Sequence, residues 1–81
     1  MNAEKANTLI GSCATVLTRH LMERFSLPMD EAFAKLYGSE TYRVLADPES
    51  RLFLEDDDYL KTCVDKEFSE GQDSFYRFIQ Q

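Results

Sequence analysis

The chain has 81 residues, 43% hydrophobic and 30% charged, with a formal net charge of −6. This length leaves no room for a second core, so we predict a single helical domain over residues 1–81. The acidic balance repels nucleic-acid phosphates and favours a basic protein partner. No stretch approaches the ~18 apolar residues that span a bilayer, and the amino terminus lacks a basic start followed by an apolar stretch. The sequence therefore predicts a cytoplasmic protein that does not bind membranes.

A long first helix is predicted over residues 3–25. Its apolar stripe is Leu9, Ile10, Cys13, Val16, Leu17, Leu21 and Phe25, a spacing typical of an amphipathic helix. Gly11 lowers the helix propensity of this segment, and the close approach of another helix would explain its presence. The two cysteines, Cys13 and Cys63, fall at apolar positions and lack the spacing of a zinc site. We predict that both are reduced and buried.

Two short helices are predicted next, over residues 28–37 and 40–46. Pro28 is suited to the first turn of a helix, and Gly38 to the position after its end. Ser39 is a preferred cap for the following helix. The predicted buried residues are Met29, Ala32, Phe33 and Leu36 in the first, and Thr41, Tyr42 and Leu45 in the second.

The sequence DPESR at residues 47–51 predicts a turn, because proline disfavours the helical conformation of the residue before it. The apolar run at 52–54 is interpreted as an extended linker whose side chains fill the core. Asp56 is a preferred cap for a helix over 57–70, and Gly71 would end it. The apolar stripe of this helix is Tyr59, Leu60, Cys63, Val64 and Phe68.

A short final helix is predicted over residues 73–80. Its large side chains are Phe75, Tyr76, Phe78 and Ile79, a heavy aromatic content for a terminus that would ordinarily fray. They dock either on the core of the domain or on a second subunit, and they are the candidate partner-binding residues. The overall prediction is an all-α fold, a compact bundle of four to five helices.

Other candidate sites have simpler structural explanations. The acidic run Glu55, Asp56, Asp57 and Asp58 is either a weak cation site or a helix cap, and its spacing does not match an EF-hand loop. Capping is the favoured interpretation. His20 is the single histidine, and we interpret it as a partly exposed residue without a catalytic role. The three glycines lie far apart, so no phosphate-binding loop and no cofactor are predicted.

The middle of the chain, residues 27–68, combines an acidic helix start, an S-x-T-Y segment, a turn and the pattern L-F-x-x-D-x-x-Y. The matching positions are Glu31, Ala32, Leu36, Tyr37, Ser39, Thr41, Tyr42, Leu45, Asp47, Glu49, Leu52, Phe53, Asp56 and Tyr59. In these features the chain resembles a group of short bacterial proteins of unknown function, often encoded beside toxin-like genes of ADP-ribosyltransferase type. Asp56 departs from the group, in which serine is common. The resemblance implies an antitoxin-like or accessory binding role.

Together these features favour a non-enzymatic protein-interaction module, with homodimerisation as a related outcome. The alternative is a small helix-turn-helix transcriptional regulator built from residues 28–37 and 40–46. Its second helix would present Glu40, Thr41 and Arg43, with little supporting positive charge.

Overall fold

Five α-helices make up most of the chain in a computed structural model that describes residues 2–81. The helices are α1 (Ala3–Phe25), α2 (Met29–Tyr37), α3 (Glu40–Leu45), α4 (Asp57–Glu70) and α5 (Gln72–Ile79), with 3₁₀ helices at Pro48–Ser50 and Leu52–Leu54. No strand occurs within residues 2–81, so the predicted all-α bundle is confirmed. The bounds of α1 and α4 are those predicted, and the others differ by one residue at one or both ends. In the same range, no helix combines the length and the apolarity needed to cross a membrane.

The side chains at the helix starts explain why the bounds follow so directly from the sequence. Ser39 Oγ accepts a hydrogen bond from the amide of Tyr42 at 3.0 Å, and Asp56 Oδ1 accepts one from Tyr59 at 2.8 Å. Both bonds satisfy amides that have no partner inside their own helix. Pro28 has extended backbone angles and precedes α2. It is therefore the cap residue and not part of the first turn.

The core lies where α1 packs against α2 and α4, with α5 packed on α4. The large side chains that are fully buried include Leu17, Leu21, Leu36, Leu45, Leu60, Val64 and Phe75. Cys13 and Cys63 are free, buried thiols, as predicted. Burial raises the pKa of Cys63 to about 12 and also raises the pKa of Cys13. Both thiols stay protonated near neutral pH, which makes them poor nucleophiles.

The segment 52–54 is a 3₁₀ helix, so the prediction of an extended linker was wrong. Arg51 has a left-handed backbone conformation with a φ of 58° and joins the two 3₁₀ helices. The amide of Leu52 donates a hydrogen bond to Ser50 Oγ at 3.1 Å, which holds the tight turn. Leu52 and Phe53 are buried as predicted, whereas Leu54 is exposed.

Three residues assigned to the core by their spacing lie at the surface: Leu9, Met29 and Phe33, which are 38%, 66% and 47% exposed. Met29 and Phe33 are exposed because of the position of α2 in the fold. This helix packs mainly against α1 and α3, and this contact buries only Ala32 and Leu36. Four other predicted core residues are half-buried: Val16, Tyr42, Tyr59 and Phe68.

The terminal helix α5 docks on the domain's own core. Phe75 is fully buried. The hydroxyl of Tyr76 donates a hydrogen bond to Glu40 Oε1 at 2.7 Å and so ties α5 to the start of α3. The ring of Phe78 lies 4.9 Å from the ring of Tyr59, centroid to centroid. Of the two docking alternatives, the structure realises the intramolecular one.

The Tyr76–Glu40 bond predicts a change in the pKa of Glu40 when the hydroxyl is removed. The bond from Tyr76 lowers the pKa of Glu40, and the carboxylate raises the pKa of Tyr76 in return. We expect the Glu40 pKa, followed by carbon NMR of its carboxyl group, to rise towards the ordinary ~4.3 in Tyr76→Phe. An unchanged Glu40 pKa in that variant would contradict the geometry.

The Tyr76–Glu40 hydrogen bond also predicts how the stability of the protein changes with pH. Because the Glu40 pKa is lowered in the folded protein, its contribution is present above the unfolded-state pKa and is lost as pH falls through the folded value. Because the Tyr76 pKa is raised, its contribution is present below ~10 and is lost as pH rises through the folded value. Urea unfolding measured over a range of pH should show that the free energy of unfolding falls at both low and high pH in the wild type, and that it falls less in Tyr76→Phe.

Candidate functional site

The exposed face of α2 is apolar and aromatic. Met29, Phe33 and Tyr37 follow one another every four residues, so they lie along one side of the helix. The rings of Phe33 and Tyr37 are stacked with centroids 4.2 Å apart, and the rings of Tyr37 and Tyr42 are stacked at 4.3 Å. A continuous stack of three rings therefore runs from α2 onto α3 at the surface of the domain.

A groove of about 320 Å³ lies beside this face, between α1 and α2. We call it the α1/α2 groove, and its lining residues are Gly11, Ala14, Thr15, Thr18, Arg19, Met22, Met29, Phe33 and Tyr37. On the α1 side most of these residues are small, whereas α2 supplies the large ones. The hydroxyls of Thr15 and Thr18 donate to the carbonyls of Gly11 and Ala14 at 3.1 and 2.8 Å. Their polar atoms are thus satisfied within α1, which leaves the groove largely apolar.

Gly11 is open to this groove. A Cβ atom added at its Cα would meet no described atom within 4 Å apart from its own helical turn. Within residues 2–81, no other helix approaches Gly11 closely enough to explain its presence. A glycine inside a helix costs about 1 kcal/mol relative to alanine, and no packing contact within residues 2–81 accounts for it.

The groove carries one positive charge in its described lining, that of Arg19, which is exposed and takes part in no ion pair within residues 2–81. Burial and the neighbouring Tyr37 raise the pKa of Tyr42, so the Tyr42 hydroxyl stays protonated near neutral pH. The groove therefore has a single guanidinium beside apolar and aromatic surface, and Arg19 also lines an adjoining polar pocket that contains Glu23 and Asp57.

The candidate partner-binding residues at the carboxyl terminus do not form an exposed patch. Phe75 is fully buried, and Tyr76, Phe78 and Ile79 are half-buried against the core. These side chains are buried because an apolar terminal helix packs on the nearest apolar surface, and α4 provides one. The exposed aromatic surface lies on α2 instead.

The acidic run at 55–58 serves as a helix start. Asp56 caps α4, and Asp57 and Asp58 lie in its first turn, where the helix dipole favours negative charge. All four side chains, including Glu55, are exposed. Among residues 2–81, no three or more His, Cys, Asp or Glu side chains converge on a point that could hold a metal ion.

His20 pairs with a residue that sequence reasoning did not connect to it. Its Nε2 lies 2.8 Å from Asp65 Oδ1, and Arg24 Nε lies 3.6 Å from the same oxygen. The contact joins α1 to α4. An Asp–His pair forms part of a catalytic triad only with a nucleophile beside it. In the described part of the chain, no hydroxyl or thiol is hydrogen-bonded to His20, and the geometry fits a structural link.

The helix that would read DNA in the helix-turn-helix alternative is largely engaged inside the domain. Thr41 is fully buried, and Glu40 accepts the bond from Tyr76. The carboxylate of Glu67 accepts hydrogen bonds from the amides of both residues at 2.8 Å, which closes the amino-terminal end of α3. Of the three residues expected to face DNA, only Arg43 is exposed.

Sequence reasoning missed the α1/α2 groove because it assigned Met29 and Phe33 to the core. The available signal is the regular i, i+4, i+8 spacing of Met29, Phe33 and Tyr37, which marks an apolar face beside the one formed by Ala32 and Leu36. Comparison of the chain with known protein families, with curated proteins and with solved structures finds no match. The resemblance of residues 27–68 to short bacterial proteins thus stays a prediction.

Proposed function

We propose that this protein is a protein-interaction module that binds its partner through the α1/α2 groove. The observation that carries the proposal is the exposed apolar face of α2, where Met29, Phe33 and Tyr37 stand at the edge of the groove. Aromatic residues and methionine are enriched at protein interfaces, and a central aromatic anchor supplies much of the binding energy. Such a face is what a binding partner would cover.

Binding is favoured over catalysis by the chemistry of the groove. Its lining offers apolar groups, self-satisfied threonine hydroxyls and one guanidinium. A general acid or base with a perturbed pKa is what a catalytic pocket would be expected to contain. The buried thiols, with the Cys63 pKa raised to about 12, are unsuited to nucleophilic attack. The narrower form of the proposal, an antitoxin-like or accessory role, rests on the resemblance of residues 27–68.

The proposal is tested by comparing what three forms of the tagged protein retain from native lysate. Phe33→Ala removes the anchor in the middle of the groove wall, and Leu54→Ala removes an equally exposed apolar residue from another part of the surface. We expect one stoichiometric partner to be retained by the wild type and by Leu54→Ala, and to be lost from Phe33→Ala. Circular dichroism confirms that each variant is folded.

Two results would overturn the proposal. One is the absence of any partner whose retention depends on Phe33. The other is a partner lost equally from Phe33→Ala and Leu54→Ala, because a groove-specific interaction leaves the Leu54 surface untouched.

A further inference from the structure

The length of the α1/α2 groove corresponds to about two to three turns of a helix. On α1 the stripe Gly11, Thr15, Thr18 and Met22 follows the i, i+4, i+7, i+11 rule and is roughly 16 Å long at 1.5 Å per residue. On α2 the distance from Met29 to Tyr37 is about 12 Å on the same basis. An occupant of this length would be two to three turns of a helix, with large side chains at i, i+4 and i+7.

The contrast between the two walls supports the same occupant. Small residues on α1 allow a backbone to approach closely, and the open space at Gly11 lies where such an approach would occur. The large side chains on α2 would then pack between the anchors of the incoming helix. A helix in this position would add a third layer to the α1 and α2 pair.

The charges decide what kind of helix fits. Arg19 stands in the groove lining without an ion pair among residues 2–81, so an incoming carboxylate would find an unpartnered guanidinium there. The chain as a whole carries a net charge of −6, which attracts a partner with positive charge outside the contact. The same charge opposes a second copy of this chain, since two chains that each carry a net charge of −6 repel one another.

From these observations we infer that the α1/α2 groove takes an amphipathic helix of a different, net basic protein. This helix has large apolar residues at i, i+4 and i+7 and one Asp or Glu beside them that pairs with Arg19. The inference rests on the proposed function and adds the chemistry of the partner to it. The carboxylate sets the register of the helix in the groove, because apolar anchors spaced by one turn would otherwise fit in more than one position.

The experiment selects ligands for the groove from a displayed library of randomised helical peptides of about 14 residues, roughly four turns. Selection uses the wild-type protein, and peptides that also bind Phe33→Ala are removed. The enriched peptides are then synthesised, and their affinities are measured by fluorescence anisotropy. We expect them to share apolar residues at i, i+4 and i+7, an adjacent Asp or Glu, and basic residues elsewhere.

Charge reversal at two arginines distinguishes the effect of the proposed ion pair at Arg19 from the effect of the net charge of the protein. Arg19→Glu and Arg77→Glu each lower the net charge by two units, and both residues are exposed on helices, but only Arg19 lies in the groove. We expect Arg19→Glu to weaken the selected peptides by about tenfold or more, and Arg77→Glu to weaken them by much less. Replacing the shared acidic residue of the peptide with Lys should restore binding to Arg19→Glu.

The possible failures point to different conclusions. Peptides that depend on Phe33 but lack a shared acidic residue, or are indifferent to Arg19→Glu, would overturn the inference about the partner and leave the proposed function standing. The absence of any enriched peptide that depends on Phe33 would overturn both. Light scattering that shows a dimer disrupted by Phe33→Ala would assign the groove to a second copy and overturn the inference as well.

Discussion

Replacing Phe75 with alanine is expected to lower the free energy of unfolding by about 3–5 kcal/mol, the usual cost of removing a phenylalanine from a core. The side chain is fully buried between α5 and the rest of the core, and no solvent can fill the space that it leaves without cost. A domain of this size has a total stability of roughly 4–12 kcal/mol. Phe75→Ala should therefore leave the protein marginally stable or partly unfolded.

The measurement is urea unfolding followed by far-UV circular dichroism, with Phe33→Ala as the matched control. The same side chain is removed in the control, but from a site that is 47% exposed. Its expected cost is about 1 kcal/mol, mainly from the lost stacking on Tyr37. Similar small losses in both variants would show that α5 does not dock through Phe75.

Replacing Glu67 with alanine is expected to lower the free energy of unfolding by about 2–4 kcal/mol. Its carboxylate accepts three hydrogen bonds at the start of α3: from the amides of Glu40 and Thr41 at 2.8 Å and from Thr41 Oγ1 at 2.7 Å. Thr41 is fully buried, so water cannot readily replace the lost acceptor. Leaving buried donors without a partner is the more costly part of the change.

Hydrogen exchange provides a local readout of the same variant. The amides of Glu40 and Thr41 belong to the first turn of α3 and have no acceptor inside the helix. We expect both to be protected in the wild type and to exchange much faster in Glu67→Ala. Glu23→Ala, at an exposed position of α1, should change stability by no more than about 0.5 kcal/mol. Unchanged exchange at Glu40 and Thr41 would contradict the role of Glu67.

The helix bounds are the part of the fold that could be predicted well from the sequence. Ser39 and Asp56 are side chains that satisfy amides within a few residues of themselves, so the information is local. The free, buried state of Cys13 and Cys63 also follows from their positions in apolar stripes. The conformation of segment 52–54 was harder to predict, because a run of three apolar residues is too short to show helical or strand periodicity.

The candidate site could not be predicted in the same way. Periodicity identifies an apolar face, but it does not say whether a neighbouring helix covers it. The residues Met29 and Phe33 were expected in the core and lie at the surface. The sequence left open whether Phe75 packs on the core or on a second subunit, and in the structure it packs on the core. Nothing in the local sequence distinguishes Glu67 and Asp65 from other acidic residues, yet Glu67 closes the start of α3 and Asp65 pairs with His20.

By itself the sequence determined that this protein is an acidic all-α bundle, where its α-helices begin and end to within one residue, and which residues are apolar enough to be buried. Only the tertiary structure decided which apolar faces are covered, that α5 packs on α4, and that α1 and α2 leave an aromatic groove with Arg19 in it. The physical reason is that caps, prolines and helical periodicity act over one or two turns. Burial, by contrast, depends on residues brought together from distant parts of the chain.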